Sequence, residues 1–180
     1  MNWLDVLLGL LFVVGLVGGY FQGLIRQTLS LGAVVSAIIL GTYLQVPLAA
    51  FLTFTFPDAS TATTDTAAFL LAVLALATAL EAAQRKAVPE TRLLAIGLLD
   101  RIAGVLVAVV TVCLQMSIAL LALKFIVTLP WPIGETFRLL ISRGMKSSVL
   151  AVALYNLLVA LVTAVGRLLP EGKPKFLTLI

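Results

Sequence analysis

The chain has 180 residues, of which 62% are hydrophobic and only 11% are charged. A soluble domain carries about 25% charged residues, and here the 12 Lys and Arg and the 8 Asp and Glu stand mostly between long apolar runs. The composition excludes a soluble globular domain and predicts an all-α, polytopic transmembrane bundle of four to five helices. The net charge of +4 comes from scattered basic residues, which argues against nucleic acid as a partner.

Several kinds of chemistry are excluded by residues that are missing. The chain has no histidine and one cysteine, Cys113, inside an apolar run. His-ligated haem, His-containing metal sites and His-based acid–base chemistry are therefore excluded, and one thiol makes neither an internal disulfide nor a metal cage. No triad, paired-carboxylate or glycine-rich phosphate motif occurs. We therefore expect no enzyme activity, no cofactor and no metal.

The first helix is predicted over residues 3–20 and contains a stripe of small residues. Gly15, Gly19 and Gly23 recur every four residues, which lets another helix backbone approach closely. Helix packing is favoured over a hinge. Asp5 precedes the apolar run and no basic residue does, so we interpret the run as a retained transmembrane helix and not as a signal peptide.

A tight turn at residues 21–23 is predicted to lead into a second helix over residues 24–44, antiparallel to the first. Arg26 lies just past this turn, where its guanidinium can reach the headgroups. Residues 45–65 are predicted to be a loop, because they contain two prolines and many threonines, with residues 48–56 lying in the membrane interface.

A third helix is predicted over residues 67–84 and a fourth over residues 99–125. Asp100 near the start of the fourth helix suits the helix dipole, and Arg101 can reach the headgroups. Gln115 is the only strongly polar residue in the interior of that helix. A hydrogen bond to another helix is its expected role.

The C-terminal part is predicted to contain an amphipathic helix and one more apolar helix. In residues 135–146 the apolar side chains share one helical face, which is typical of a helix lying in the headgroup plane: Phe137, Leu140, Ile141 and Met145. The run over residues 149–165 contains Asn156, for which an interhelical hydrogen bond is again expected. Seventeen residues is the short limit for a membrane span.

Loop charges predict the orientation in the membrane. The first turn has Arg26, residues 45–65 have no Lys or Arg, and the connection at residues 85–97 has three. The N-terminus is therefore predicted outside and the 85–97 connection inside. The segment after the fourth helix then lies outside despite its basic residues, and a fifth crossing would bring Arg167 and two lysines inside.

The charged residues of the apolar runs are the default candidates for function, because a charge inside a membrane is costly. All of them lie within a turn or two of a helix end, so headgroup contact or helix capping is the expected role. They are Asp5, Arg26, Glu81, Asp100, Arg101 and Lys124. An ion pair, such as one between Arg26 and Asp100, is the alternative. No row of polar groups marks a transport path.

Three segments together resemble the colicin V production protein family (CvpA-type), small bacterial inner-membrane proteins. They are Asn2-Trp3-Leu4-Asp5, the turn segment Gly19-Tyr20-Phe21-Gln22-Gly23-Leu24-Ile25-Arg26, and Leu98-Leu99-Asp100-Arg101-Ile102-Ala103-Gly104. Gly104 and Ala108 continue the last segment as a small-xxx-small pattern. The resemblance covers residues 2 to about 125.

The resemblance implies a CvpA-like membrane core of four helices over residues 1–126, with the N-terminus outside. Residues 127–180 would then hold the amphipathic segment, the last apolar helix and a short tail. It also implies a non-enzymatic role in colicin V production or export and in envelope homeostasis. The expected partners are the lipid bilayer and other membrane proteins, or a second copy of the chain.

Two other functions fit the same sequence. One is an accessory or scaffold subunit of a larger membrane complex, respiratory or photosynthetic, because the loops are short and no chemistry is evident. The other is a small channel or transporter, which is disfavoured because no buried charge or broken helix marks a path at mid-membrane depth.

Overall fold

The computed structural model describes residues 2–87, 97–128 and 135–165, without the side chains of residue 137 and residues 161–165. These residues form five α-helices and no strand, which confirms the all-α class. The helices are α1 (Trp3–Thr55), α2 (Thr61–Ala87), α3 (Gly97–Thr128), α4 (Glu135–Ser147) and α5 (Val149–Val165).

Three of these helices, α1, α2 and α3, are long and apolar enough to cross a membrane. Many of their large apolar side chains point away from the protein, as expected for a surface that faces lipid. Leu10, Leu106 and Leu71 are 62%, 67% and 52% exposed. In water such a surface would be an aggregation hazard, so length, composition and exposure together define a helical membrane protein.

The predicted three-residue turn after the first helix is wrong, because a single residue interrupts α1. Helical hydrogen bonding continues through residues 21 and 22, and only Gly23 leaves helical geometry, with φ 78° and ψ 175°. A positive φ is cheap for glycine and costly for residues with a Cβ. Gly23 thus divides α1 into a first arm, residues 3–22, and a second arm, residues 24–55.

The predicted loop over residues 45–65 is mostly helical. The second arm continues past Pro47 to Thr55, and α2 begins at Thr61. A proline removes one backbone donor, a loss that membrane helices tolerate. The next helix start is capped locally, since Ser60 Oγ accepts the backbone N–H of Thr63 at 3.2 Å. The connection is thereby reduced to residues 56–60.

The described residues belong to two compact units. Unit 1 combines Met1–Gln27 with Arg92–Leu158, and unit 2 combines Thr28–Thr91 with Val159–Ile180. In unit 1 the first arm of α1 runs antiparallel to α3, and α5 packs on both. One buried apolar cluster joins the three helices: Leu4, Leu8, Val112, Met116, Leu120, Ala151 and Leu154. The predicted functional division at residue 126 stays a prediction.

Unit 2 is an antiparallel pair made by the second arm of α1 and α2. Gln84 Nε2 donates to the carbonyl of Leu29 at 2.9 Å at one end, and Thr53 Oγ1 lies 3.3 Å from Thr64 Oγ1 at the other. Between these ends Gly41 lies against Val73. Paired positions thus rise along one helix as they fall along the other, which defines the antiparallel register.

Candidate functional site

The closest helix contact of unit 1 is a seam of small residues between the first arm of α1 and α3. A Cβ built on Gly19 would overlap the Cβ of Ala108, and one built on Gly104 would lie 2.8 Å from the Gly19 carbonyl oxygen. One turn further, a Cβ on Gly15 would lie 2.5 Å from Val112 Cγ2. The two backbones therefore approach so closely that glycine is required on both sides.

At the end of this seam Asp100 of α3 caps the second arm of α1. Its Oδ1 accepts the backbone N–H of Leu24 at 2.9 Å. The break at Gly23 leaves that N–H without a partner inside its own helix, and a carboxylate suits the positive end of the helix dipole. Asp100 is buried, and a Cβ on Gly23 would overlap its carboxylate. We call Gly19, Gly23, Asp100 and Gly104 the glycine junction.

The basic residues beside the glycine junction make no ion pair with it. Arg101 is exposed, and its guanidinium carbon lies 5.3 Å from the centroid of the Tyr20 ring, a cation–π distance. Arg26 is half-buried, and within the described residues no carboxylate lies at ion-pair distance from it. The alternative of an Arg26–Asp100 pair is therefore not formed, because Asp100 faces the backbone of Leu24.

The N-terminal residues hold the corner between α4 and α5. Asp5 Oδ1 accepts Ser148 Oγ–H at 2.5 Å and the backbone N–H of Leu150 at 3.2 Å. Ser148 in turn caps α5, because its Oγ accepts the N–H of Ala151 at 3.0 Å. Asn2 Nδ2 donates to the carbonyl of Gly144. Asp5 thus ties the start of α1 to the start of α5.

The other end of α4 is tied to α3. Arg138 donates from Nε to Glu135 Oε2 at 2.9 Å and from Nη1 to the carbonyl of Val127 at 3.3 Å. A cation suits the last carbonyls of a helix. The hydrogen bonds from Arg138 also lower the pKa of Glu135. The helix predicted to lie in the headgroup plane is therefore fastened to α3 by Arg138 and to α1 by Asn2.

The two amides of the apolar runs lie on the surface. Gln115 and Asn156 are both exposed, and neither has a hydrogen-bond partner among the residues that the structure describes. Two other contacts join α3 and α5. Ser117 Oγ lies 2.7 Å from the Leu154 carbonyl oxygen, and Lys124 Nζ lies 5.6 Å from the centroid of the Tyr155 ring. The interhelical bonds expected of the amides are thus not made inside the described part of one copy.

Two of the three described acids near helix ends in unit 1, Asp5 and Asp100, accept backbone N–H groups, and the third, Glu135, pairs with Arg138. Asp5 binds the start of α5 and Asp100 binds the second arm of α1. Glu81 of α2 forms an exposed pair with Arg85 at 2.7 Å. In the described ranges no three potential metal ligands come together. This arrangement fixes helix ends relative to one another.

Sequence reasoning missed three side chains that organise unit 1, namely Asn2, Ser117 and Ser148. A signal existed for Ser148, because a serine directly before an apolar run is typical of a helix N-cap. No local pattern marks Ser117, whose partner lies on another helix. The sequence also did not show that Asp100 caps the helix starting at Leu24. The two residues are 76 positions apart, so the spacing of nearby residues does not reveal the contact.

The helices and their junctions define a small helical membrane protein in which small residues and capping carboxylates fix the contacts of unit 1. The family model described as colicin V production protein matches residues 4–158. The chain therefore belongs to the colicin V production protein family, which confirms the resemblance stated above. No curated protein and no solved structure matches the chain.

The structure brings together two of the three segments that resemble the family. The segment around Gly19 and Gly23 meets the segment around Asp100 and Gly104 at the glycine junction. The opening segment instead meets α4 and α5, through Asn2 and Asp5. The family-like residues of this chain therefore lie at helix contacts.

Proposed function

We propose that this protein is a non-enzymatic component of the bacterial inner membrane that supports export and envelope function by binding other proteins or lipids. The observation that carries the proposal is the glycine junction. Two of the three segments that resemble the family meet there, and their one buried carboxylate, that of Asp100, accepts a backbone N–H. A group so engaged holds two helices together.

The exposed surface of the protein supports a role in binding. Exposed apolar side chains cover the helices that are long enough to span the membrane, and exposed amides stand on α3 and α5. Lipid satisfies the apolar side chains, whereas amides gain from a polar partner. A protein that works through contacts needs such a surface together with a firmly packed interior.

The proposal includes a multi-pass arrangement with the N-terminus outside. It follows from the loop charges, with Arg26 and the 85–97 connection inside and the loop around Asp58 outside. In a Cys113→Ser background, single cysteines at positions 58 and 88 would be treated on intact cells with an impermeant thiol reagent. We expect position 58 to react and position 88 to be protected. The reverse pattern would invert the arrangement.

Co-purification tests the mode of action. The protein would be cross-linked in living cells and purified in mild detergent, with Gly104→Leu, which disrupts the glycine junction, as the control. We expect the intact protein to retain export or envelope proteins that the variant loses. Recovery of one stable respiratory or photosynthetic complex would instead assign the protein as an accessory subunit.

Reconstitution separates the proposal from transport. The purified protein in liposomes is expected to leave ion permeability unchanged, because Asp5 and Asp100 are engaged in hydrogen bonds at helix ends. Permeability that rises with the amount of protein and disappears in one point variant would establish a channel and overturn the proposal.

A further inference from the structure

The end of α3 and the start of α1 lie at the same depth in unit 1. Gly19 of α1 lies against Ala108 of α3, and Gly15 lies against Val112. The two helices therefore pair in antiparallel order. By extension of this register Val127 is level with the start of α1, within about one turn. Because both helices are long enough to span the membrane, these two ends mark one of its surfaces.

The helix α4 crosses between these two ends. Arg138 donates to the carbonyl of Val127 at 3.3 Å, and Asn2 donates to the carbonyl of Gly144. The stretch of helix from Arg138 to Gly144 rises about 9 Å, which matches the distance between the axes of two packed helices. Both fastening points lie at the same depth, so α4 runs nearly parallel to the membrane plane, level with the outermost turns of α1 and α3.

The apolar face predicted for α4 is turned partly toward the protein. Ile141 is buried, Met145 packs against the core cluster of unit 1, and Gly144 lies against the indole of Trp3. A different face is left uncovered, and its members follow each other at spacings of three and four residues, so that they lie on one side of the helix. We call this the outer face of α4, and it consists of Leu139, Leu140, Arg143 and Lys146, all exposed.

The outer face of α4 carries two cations that the described part of the chain does not neutralise. No described carboxylate lies at ion-pair distance from Arg143 or Lys146. The acids at this end of unit 1 are engaged elsewhere, since Glu135 binds Arg138 and Asp5 binds the start of α5. The face thus combines a net positive charge with two leucines that are 44% and 51% exposed.

We propose that the outer face of α4 binds the headgroups of anionic phospholipids. The depth of α4 places Arg143 and Lys146 at the level of the lipid phosphates, and Leu139 and Leu140 beside the first carbons of the acyl chains. A helix that lies in this plane and presents both cations and leucines is complementary to an anionic lipid surface. A soluble acidic protein would neutralise the cations and leave the leucines without an apolar partner.

The lipid site deepens the proposed function and rests on it, because it names one class of partner and the residues that bind it. It holds for either orientation of the chain, since α4 lies at a membrane surface in both. The test below contains no other protein and no measurement of export. The lipid site and the export role can therefore fail separately.

A tryptophan of the chain reports on lipid at α4. The chain contains two tryptophans, so Trp131→Phe leaves Trp3, whose indole contacts Gly144 of α4. The full chain would be placed in phosphatidylcholine vesicles. Quenching of Trp3 by phosphatidylglycerol with brominated acyl chains would be compared with quenching by brominated phosphatidylcholine. We expect phosphatidylglycerol to be preferred at low salt, and the preference to fall as salt rises from about 0.05 M to about 0.5 M.

Single substitutions locate the preference on the outer face of α4. Each cation at an anionic surface contributes up to about a fivefold preference. Arg143→Gln should therefore lower the preference by up to about fivefold, and adding Lys146→Gln should abolish it. Arg143→Lys keeps the charge and should keep the preference. Arg101→Gln is the matched control, because it removes an equally exposed cation at the other end of α3, and it should leave quenching of Trp3 unchanged.

Thermal unfolding in mild detergent checks that each variant is folded. If the double variant does not fold, the salt dependence of the unchanged outer face and the comparison of Arg143→Lys with Arg143→Gln decide. Equal quenching by the two lipids at low salt would overturn the proposal, and it is the result expected if an acidic protein occupies this face. A preference that survives loss of both cations, or one that Arg101→Gln lowers as much as Arg143→Gln does, would also overturn it.

Discussion

The two units pack their helices by different means. In unit 1 the first arm of α1 and α3 meet backbone to backbone along Gly19, Gly104 and Ala108, and Asp100 closes the end of the seam. In unit 2 the second arm of α1 meets α2 at one glycine, Gly41, whose neighbour is a valine side chain. Hydrogen bonds from Gln84 and Thr53 hold the two ends of that pair.

The difference indicates which contact depends on a particular residue. A backbone that lies against another backbone cannot move aside for an added methyl group, whereas a side chain can shift. The glycine junction should therefore be sensitive to single substitutions, and the α1–α2 pair should be tolerant. Two of the three family-like segments lie at the sensitive contact.

The largest effect is expected for Gly104→Ala. Its new Cβ would lie 2.8 Å from the Gly19 carbonyl oxygen and from the Gly23 carbonyl carbon. Overpacking costs about 1–3 kcal/mol, here near the upper end, against roughly 1 kcal/mol gained in helix propensity. We expect a net loss of about 2 kcal/mol, measured as a lower unfolding temperature in mild detergent. Gly9→Ala, with open space around it, is the control and should not destabilise.

The next effect is expected for Asp100→Ala, which removes the cap of the second arm of α1. Loss of a helix cap costs about 0.5–2 kcal/mol. Asp100→Asn keeps an acceptor oxygen and should lose less than Asp100→Ala, as measured by the same thermal unfolding. Equal losses for the two variants would show that the charge, and not the hydrogen bond to Leu24, is what stabilises the junction.

A similar but smaller loss is expected for Asp5→Ala, because the start of α5 retains Ser148 as its own cap. We expect a smaller loss of stability than for Asp100→Ala, with hydrogen exchange rising first at the amides of Leu150 and Ala151. Asp58→Ala, at an exposed acid in the connection before α2, should leave both measurements unchanged. Faster exchange in α2 and not in α5 would contradict the assignment.

The smallest effect is expected for Gly41→Ala. The added Cβ would lie 2.6 Å from Val73 Cγ2, a side-chain atom that can move slightly. The strain is offset by roughly 1 kcal/mol of helix propensity, so the unfolding temperature should hardly change. A loss as large as that of Gly104→Ala would remove the distinction between the two units.

The sequence predicted the helical membrane class, because a long apolar run in lipid satisfies its backbone hydrogen bonds most simply as a helix. It misjudged the connections. Pro47 and the threonines around it are typical of a loop, yet the chain stays helical to Thr55. The hydroxyls of Thr53 and Thr55 donate to carbonyls of the preceding turn at 2.9 Å and so are satisfied inside the helix. Propensity is a weak guide where lipid forbids an unpaired backbone.

The candidate residues were easier to select than to pair. A four-residue glycine spacing marks Gly15, Gly19 and Gly23 in any sequence, and an acid near a helix start is equally visible. Their partners depend on which helix lies alongside. Leu24 and Asp100, for example, are 76 positions apart in the sequence, so no local pattern shows that they meet. Charge alone suggested Arg26 as the partner of Asp100, whereas in the structure Asp100 accepts the backbone N–H of Leu24.

The central claim is that Asp5 and Asp100 fix helix contacts and that neither performs a reaction or transport step. Asp5, Asp58 and Asp100 would be changed singly to Asn and Glu81 to Gln, in a strain that lacks its own family member and produces colicin V. Colicin V release and the amount of folded protein in the membrane would be measured together. We predict graded losses of release that follow the amount of folded protein, largest for Asp100→Asn. A variant that abolishes release at normal abundance and stability would contradict the account and mark a true active or transport site.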